Sequence, residues 1–191
     1  MAHRVRAGVG ALVLSAVAVA CGGGSVPGQA SPTTSGATAT TIPPATTVAS
    51  TSTTVSPIPG VETYAVVASH VDGPITYPQV PPVGGAHNPV WTPCAFYDRA
   101  VPNEMAVHSL EHGVIWFTYR ADLPQDQLDL LSALARSRKD ILVSRWDDSL
   151  PSPLVATAWG RQLKLTTADD ARVADFVRLY AHQSPEPNAP C

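Results

Sequence analysis

The residues best equipped for chemistry lie together in Glu104-Met105-Ala106-Val107-His108-Ser109-Leu110-Glu111-His112. At about 100° per residue on a helix, Glu104, His108, Glu111 and His112 fall within an arc of about 100°, with Ala106, Val107 and Leu110 opposite. His108 and His112 stand at i, i+4, a spacing that lets two ring nitrogens converge on one ion. Imidazole and carboxylate donors suit Zn²⁺ or Cu²⁺, with Ni²⁺ and Fe²⁺ also compatible. Met105 is the only methionine beyond Met1, which argues against a methionine-rich Cu⁺ carrier. Candidate metal ligands are therefore His108, His112, Glu111 and Glu104. A third imidazole would come from upstream. His87 follows Gly84-Gly85-Ala86, a loop that brings backbone close to a site, and His70 ends an expected strand.

Three readings of this helix stay open. The front could be a solvated polar face, although it carries no lysine or arginine, and Lys139 and Lys164 are the only lysines in the chain. It could be a buried His–Glu network that only locks the fold. It could bind a metal, with or without catalysis. His108-Ser109-Leu110-Glu111-His112 fits H-x-x-E-H, in which two histidines hold zinc and Glu111 would be the base on a bound water. Such peptidases take a third ligand from a downstream helical glutamate. The only glutamate after His112 is Glu186, within the helix-breaking sequence Ser184-Pro185-Glu186-Pro187, so that match is weak. His182 reads as a partner for a helix C-terminus. Trp91, Tyr97, Trp116 and Trp159 read as packing residues, and Asp147-Asp148 as a solvated loop.

The elements that must position these residues follow from patterning. Tyr64–His70 reads as a strand. Gly73–Pro102, rich in proline and glycine, is a long loop of the kind that carries function. Asn103–His112 is a short helix with Asn103 as its cap and Gly113 at the left-handed position after its end. Val114–Tyr119 is a fully apolar, central strand. A helix runs from an Asp122 cap to about Arg138 with Leu128, Leu131, Leu134 and Ala135 on one face. Ile141–Trp146, Leu154–Trp159 and Gln162–Leu165 are strands. A capping box of Thr167 and Asp170 opens a last helix to about His182, with Val173, Phe176, Val177 and Tyr180 at i, i+3, i+4, i+7. The expected class is α+β: a single domain with helices packed on one face of a mixed or antiparallel sheet, after a disordered N-terminal stalk.

That stalk is written in composition. The chain has 191 residues, of which 14% are charged, well below the usual quarter or so. Apart from Arg4 and Arg6, every charged residue lies at or beyond Glu62, and every aromatic at or beyond Tyr64. A segment of Thr, Ser, Ala, Pro and Gly buries too little apolar surface to offset its conformational entropy. The expected divisions are a signal peptide at 1–20, a lipidated Cys21 with a disordered linker at 21–60, and a globular domain at 61–191. His3, Arg4 and Arg6 form the basic region, Ala7–Ala20 the apolar run, and Ala18-Val19-Ala20-Cys21 resembles a bacterial lipobox. This predicts an extracytoplasmic protein anchored to the cell membrane by acyl chains on Cys21. Taking Arg4 and Arg6 from the 12 basic residues leaves 10 against 15 acidic ones, so neither nucleic acid nor an anionic lipid surface is an expected partner. With Cys21 acylated, Cys94 and Cys191 remain, and in an oxidising compartment they read as one disulfide, with free thiols or metal ligation as alternatives. The threonine- and alanine-rich, lysine-poor composition fits a high-GC bacterium such as an actinobacterium.

Tyr77–Pro82 (YPQVPP), Gly84-Gly85-Ala86-His87, Trp91–Tyr97 (WTPCAFY), Val107–Gly113 (VHSLEHG) running into an apolar strand, Ala158-Trp159-Gly160-Arg161 and the closing Pro-Glu-Pro…Cys together resemble a bacterial family known as domain of unknown function 3105. The resemblance spans about Val61 to Cys191, and departs at Ala95, where glycine is expected. It implies an extracytoplasmic domain, often membrane-anchored, and supplies no activity. Function therefore rests on the residues: a domain binding a divalent transition metal or small ligand through the His/Glu cluster, a metal-dependent hydrolase with Glu111 as base, or a non-catalytic envelope interaction module.

Overall fold

The apolar run after Gly113 forms the centre of the sheet. In the computed structural model, which describes residues 56–187 and 189–191, Ile115–Arg120 pairs on both edges and all but its last residue are buried. The expected signal peptide, the expected lipidation site Cys21 and the expected linker up to residue 55 lie outside the described residues. In chain order the elements are β1 (Val61–Thr63), β2 (Ser69–His70), β3 (Ala86–His87), β4 (Phe96–Tyr97), α1 (Asn103–Glu111), β5 (Ile115–Arg120), α2 (Gln125–Ser137), β6 (Ile141–Trp146), β7 (Leu154–Ala158), β8 (Arg161–Leu165) and α3 (Arg172–Tyr180). Six strands make a mixed sheet in the order β1-β8-β7-β5-β6-β4, and β2 and β3 form a separate parallel pair. The pairs β5–β6 and β6–β4 are parallel; β5–β7, β7–β8 and β8–β1 are antiparallel. The fold is thus a single α+β domain with three helices packed against a mixed sheet.

Alternation along the central strands divides the core in two. Ile115, Phe117 and Tyr119 point to one face, where they join Ile141, Val143, Leu131 of α2 and Val173, Phe176 and Val177 of α3. The expected apolar faces of both helices are the ones that pack there, with Leu128, Leu134, Ala135 and Tyr180 at the margin. Trp116 and Leu142 point to the opposite face and meet Ala106 and Leu110 of α1. α1 is therefore the helix that covers the second face. The core also reaches upstream of Val61, because Ile58 is buried among the α3-side residues. Among the described residues, no helix is long and apolar enough to cross a membrane.

Several element ends differ from the sequence expectation. Tyr64–His70 is not one strand. The ladder begins earlier, with Val61 opposite Leu163, and ends at Thr63 opposite Arg161. Its partner strand starts there, just after the turn at Gly160, whose carbonyl accepts the Tyr64 N–H, and the ladder goes no further. Only Ser69 and His70 regain pairing, with Ala86 and His87. Asn103 is the first residue inside α1 and makes no cap; Pro102 precedes it. α2 starts at Gln125 behind Pro124, and Asp122 is instead paired with Arg120. The capping box of the last helix does not form: Asp170 accepts the Arg172 backbone N–H from outside α3, which ends at Tyr180.

The end of α1 follows the expectation. Gly113 has φ +87°, its N–H bonds the Leu110 carbonyl, and the Val114 N–H bonds the Ser109 carbonyl. This is the Schellman arrangement that stops a helix and turns the chain at once into a strand.

Candidate metal centre

The polar front of α1 is not a solvated face: His108, Glu111 and His112 are all buried. Burial is imposed by the loop upstream of the helix. The Asn88 N–H bonds the Glu104 carbonyl, and the Thr92 N–H bonds the Met105 carbonyl. The Ser109 hydroxyl, rooted in the helix, donates to the Thr92 carbonyl at 2.7 Å. These bonds lay residues 86–92 along α1 and bring His87 over it. β3 then pairs with β2 so that His70 stands opposite His87. The Pro/Gly-rich loop is in this way the second wall of the site.

One ring nitrogen each from His70, His87 and His108 and one carboxylate oxygen of Glu111 lie within 4.8 Å of one another. Glu111 Oε2 is 2.8 Å from His87 Nε2 and 3.4 Å from His70 Nε2. Ligands held about 2.0–2.1 Å from a tetrahedral ion sit about 3.3 Å apart, so small side-chain adjustments admit one. His87 has no exposed surface, whereas the His70 side chain is 48% exposed, which leaves the cluster open on one side. Trp159 closes edge-on against His87, and Trp91 leans over His108 and His112.

The far ring nitrogens are also fixed. The Nδ1–H of His87 donates to the Gly85 carbonyl at 2.8 Å, that of His108 to the Asn88 carbonyl at 2.7 Å, and that of His112 to the Pro190 carbonyl at 2.5 Å. A neutral imidazole with its proton on Nδ1 presents a bare Nε2 lone pair. Backbone carbonyls that orient a ring in this way are the usual support for a metal-binding histidine. Burial pushes the His108 imidazole below its ordinary value near 6.5, and the neighbouring His112, His87 and His70 rings act in the same direction against the Asn88 carbonyl. His108 is therefore held in the form that can ligate.

The sequence candidates are distributed as follows. His87, His108 and Glu111 come together, joined by His70. His112 falls in a second group with His108 and Glu186, again with ligand atoms within 4.8 Å. Glu104 belongs to neither; its Oε1 accepts the Ile75 N–H at 3.0 Å. The residue that sequence reasoning set aside was Glu186. Proline on both sides keeps it out of a helix, but it reaches α1 by another route, since its N–H bonds the Glu111 carbonyl and its Oε2 stands 3.8 Å from His112 Nε2. Cys94 and Cys191 are joined as a disulfide, and that pairing was the available signal that the tail must return to this helix. His182 is not a simple partner of a helix end: its Nε2 is 3.2 Å from Asp140 Oδ2.

The fold and the site define a small α+β domain built around a buried His/Glu cluster able to hold a metal ion. The chain belongs to the family described as protein of unknown function (DUF3105), whose model matches residues 70–191. The match begins at His70, the first histidine of the cluster, and includes all its members. No curated protein and no solved structure matches the chain.

Proposed function

We propose that this domain binds one divalent transition-metal ion, Zn²⁺ or Cu²⁺, through His70, His87, His108 and Glu111. The observation that carries the reading is the convergence of three imidazole nitrogens and one carboxylate oxygen within 4.8 Å, with two of the rings held by backbone carbonyls behind them. Three neutral imidazoles and one carboxylate form a borderline donor set without thiolate, suited to either ion. Hydrolysis would need Glu111 as a base beside the metal. Its Oε2 faces His87 and His70 directly, which favours a ligand role and hence binding over catalysis.

The setting of this activity is the outer face of a cell membrane, with Cys21 acylated and residues 22–55 as tether. The basic region, apolar run and small residues before Cys21 support it, and so does the Cys94–Cys191 disulfide, because such bonds persist in oxidising compartments.

The test is elemental analysis of the full chain purified without a histidine tag. One equivalent of zinc or copper, lost in His108→Ala, is expected; a metal-free wild type that takes up neither ion on addition sinks the reading. Lipid on Cys21 is checked separately by mass spectrometry of the membrane fraction, where Cys21→Ser should release the protein.

A further inference from the structure

His108 belongs to two groups of metal-binding side chains, and it has only one nitrogen to give. Its Nδ1–H is committed to the Asn88 carbonyl, so Nε2 alone is available. On one side stand His87 and His70, with ring centroids 5.0 and 4.9 Å from that of His108. On the other stands His112 at 4.5 Å, with Glu186 beyond it. Each group contains one carboxylate, Glu111 in the first and Glu186 in the second. An ion moving from one to the other would keep His108 and exchange one carboxylate for another, so the charge balance of the site would not change.

Resting on the metal-binding reading above, we infer that His108, His112 and Glu186 form a second position for the same ion, exclusive of the first, through which the ion enters and leaves. The two positions differ in kind. The inner one has four protein ligands and so a full tetrahedral set, with His70 as its one exposed member. The outer one has three, which leaves a coordination place free for water or for a donor of an incoming partner. Its carboxylate sits on a side chain that is 52% exposed, while His87 and Glu111 are buried. An ion bound by three ligands, one of them on an exposed side chain, exchanges faster than one held by a full set of four.

The C-terminal tail builds the outer position. The Pro190 carbonyl fixes the His112 ring, the Glu186 N–H docks on the Glu111 carbonyl, and the disulfide to Cys94 holds the end of the chain against the α1 side of the core. The segment that carries the disulfide thus also carries the exchange ligand. The site is a metal-transfer site, with ligand substitution as its only chemistry and no change of oxidation state.

The experiment uses the full chain stripped of metal and loaded with Co²⁺, whose visible absorption reports the donor set. Transfer to a chromophoric chelator reports exchange. Wild type should bind one Co²⁺ per chain. Glu186→Gln, at an exposed position, should bind one Co²⁺ with the wild-type spectrum but release it to the chelator at least about tenfold more slowly. His70→Ala, which alters only the inner set, should bind one Co²⁺ with a changed spectrum, and adding Glu186→Gln to it should slow transfer to the chelator as it does in the wild-type background. Two Co²⁺ ions per wild-type chain would overturn the sharing of one ion between two exclusive positions, and equal transfer rates for wild type and Glu186→Gln would overturn the exchange role of the second; either result leaves the first position intact. A wild type that binds no Co²⁺ would overturn both.

Discussion

His87 contacts a carbonyl with one ring nitrogen and a carboxylate with the other: Nδ1 lies 2.8 Å from the Gly85 oxygen and Nε2 lies 2.8 Å from Glu111 Oε2. A neutral imidazole has one N–H and cannot serve both acceptors. The conflict is resolved by a proton on the ring or the carboxyl, or by a cation shared between Nε2 and Oε2. Each of these gives the buried ring and the glutamate a partner, and the shared cation is the one that metal binding supplies.

This conflict predicts the behaviour of Glu111→Gln. The amide N–H of the new side chain can donate to His87 Nε2, which makes both ring contacts compatible with a neutral imidazole. In the presence of a chelator the variant should match or exceed wild type in urea denaturation, by up to about 1 kcal/mol. Its affinity for Zn²⁺ should fall by at least about tenfold. A variant that is strongly destabilised without metal would show that Glu111 is needed for folding itself.

Metal should stabilise the wild type and fail to stabilise His108→Ala. At a free Zn²⁺ concentration about one hundred times the dissociation constant, linkage gives about 2.7 kcal/mol. Thermal melts with Zn²⁺ and with excess chelator measure the difference, and identical curves would exclude a folded-state site.

Gly113→Ala should be costly even though the change adds a single methyl group. A Cβ at this position would lie 2.6 Å from the His182 Cα and 2.9 Å from its backbone nitrogen, at φ +87°. Both neighbours are backbone, and the His182 N–H is bonded to the Gly113 carbonyl, so neither can swing aside. A loss of about 2 kcal/mol or more is expected by urea denaturation. An unchanged midpoint would mean that the α1 end and the α3 end do not meet in this way.

The disulfide joins residues 97 positions apart, so its removal in Cys94→Ser/Cys191→Ser should cost about 2–4 kcal/mol. Chemical denaturation of the double variant measures this. No loss would argue that the tail is held without it.

Asp170 is an assignable contributor to acid stability. The Arg172 guanidinium and backbone N–H hold the Asp170 carboxyl down to about 2, from an ordinary value of 3.8. As pH falls the unfolded chain takes up this proton first, so the contribution is complete above 3.8 and disappears as pH falls toward 2. The stability gap between wild type and Asp170→Asn should be flat at neutral pH and close across that acid window. A gap that persists at the acid end would assign the effect to something other than this carboxylate.

Much of the architecture is legible in the sequence because it rests on local periodicity. The apolar run 115–119, the 3.6-residue pattern of Val173, Phe176 and Val177, and the glycine after His112 each state a strand, a helix face and a helix end without outside information. The extent of the strand expected at Tyr64–His70 is not legible, because a strand needs a partner and β8 begins only at Arg161. The three helix starts differ for a related reason. Asn103, Asp122 and Thr167 can all cap, but Pro102, Pro124 and the Asp170–Arg172 pair set the first turns.

Of the site, sequence alone determined the α1 contribution, since helical spacing fixes where His108, Glu111 and His112 lie relative to each other. It could name His87 and His70 as candidates but could not bring them in, because their approach depends on hydrogen bonds between a glycine-rich loop and the carbonyls of α1, and on a two-residue pairing of β2 with β3. Glu186 depended on a disulfide spanning most of the domain. Spacing along one helix is a local property carried by the chain itself; the convergence of other segments on its face exists only once the loop, the β2–β3 pair and the tail have packed.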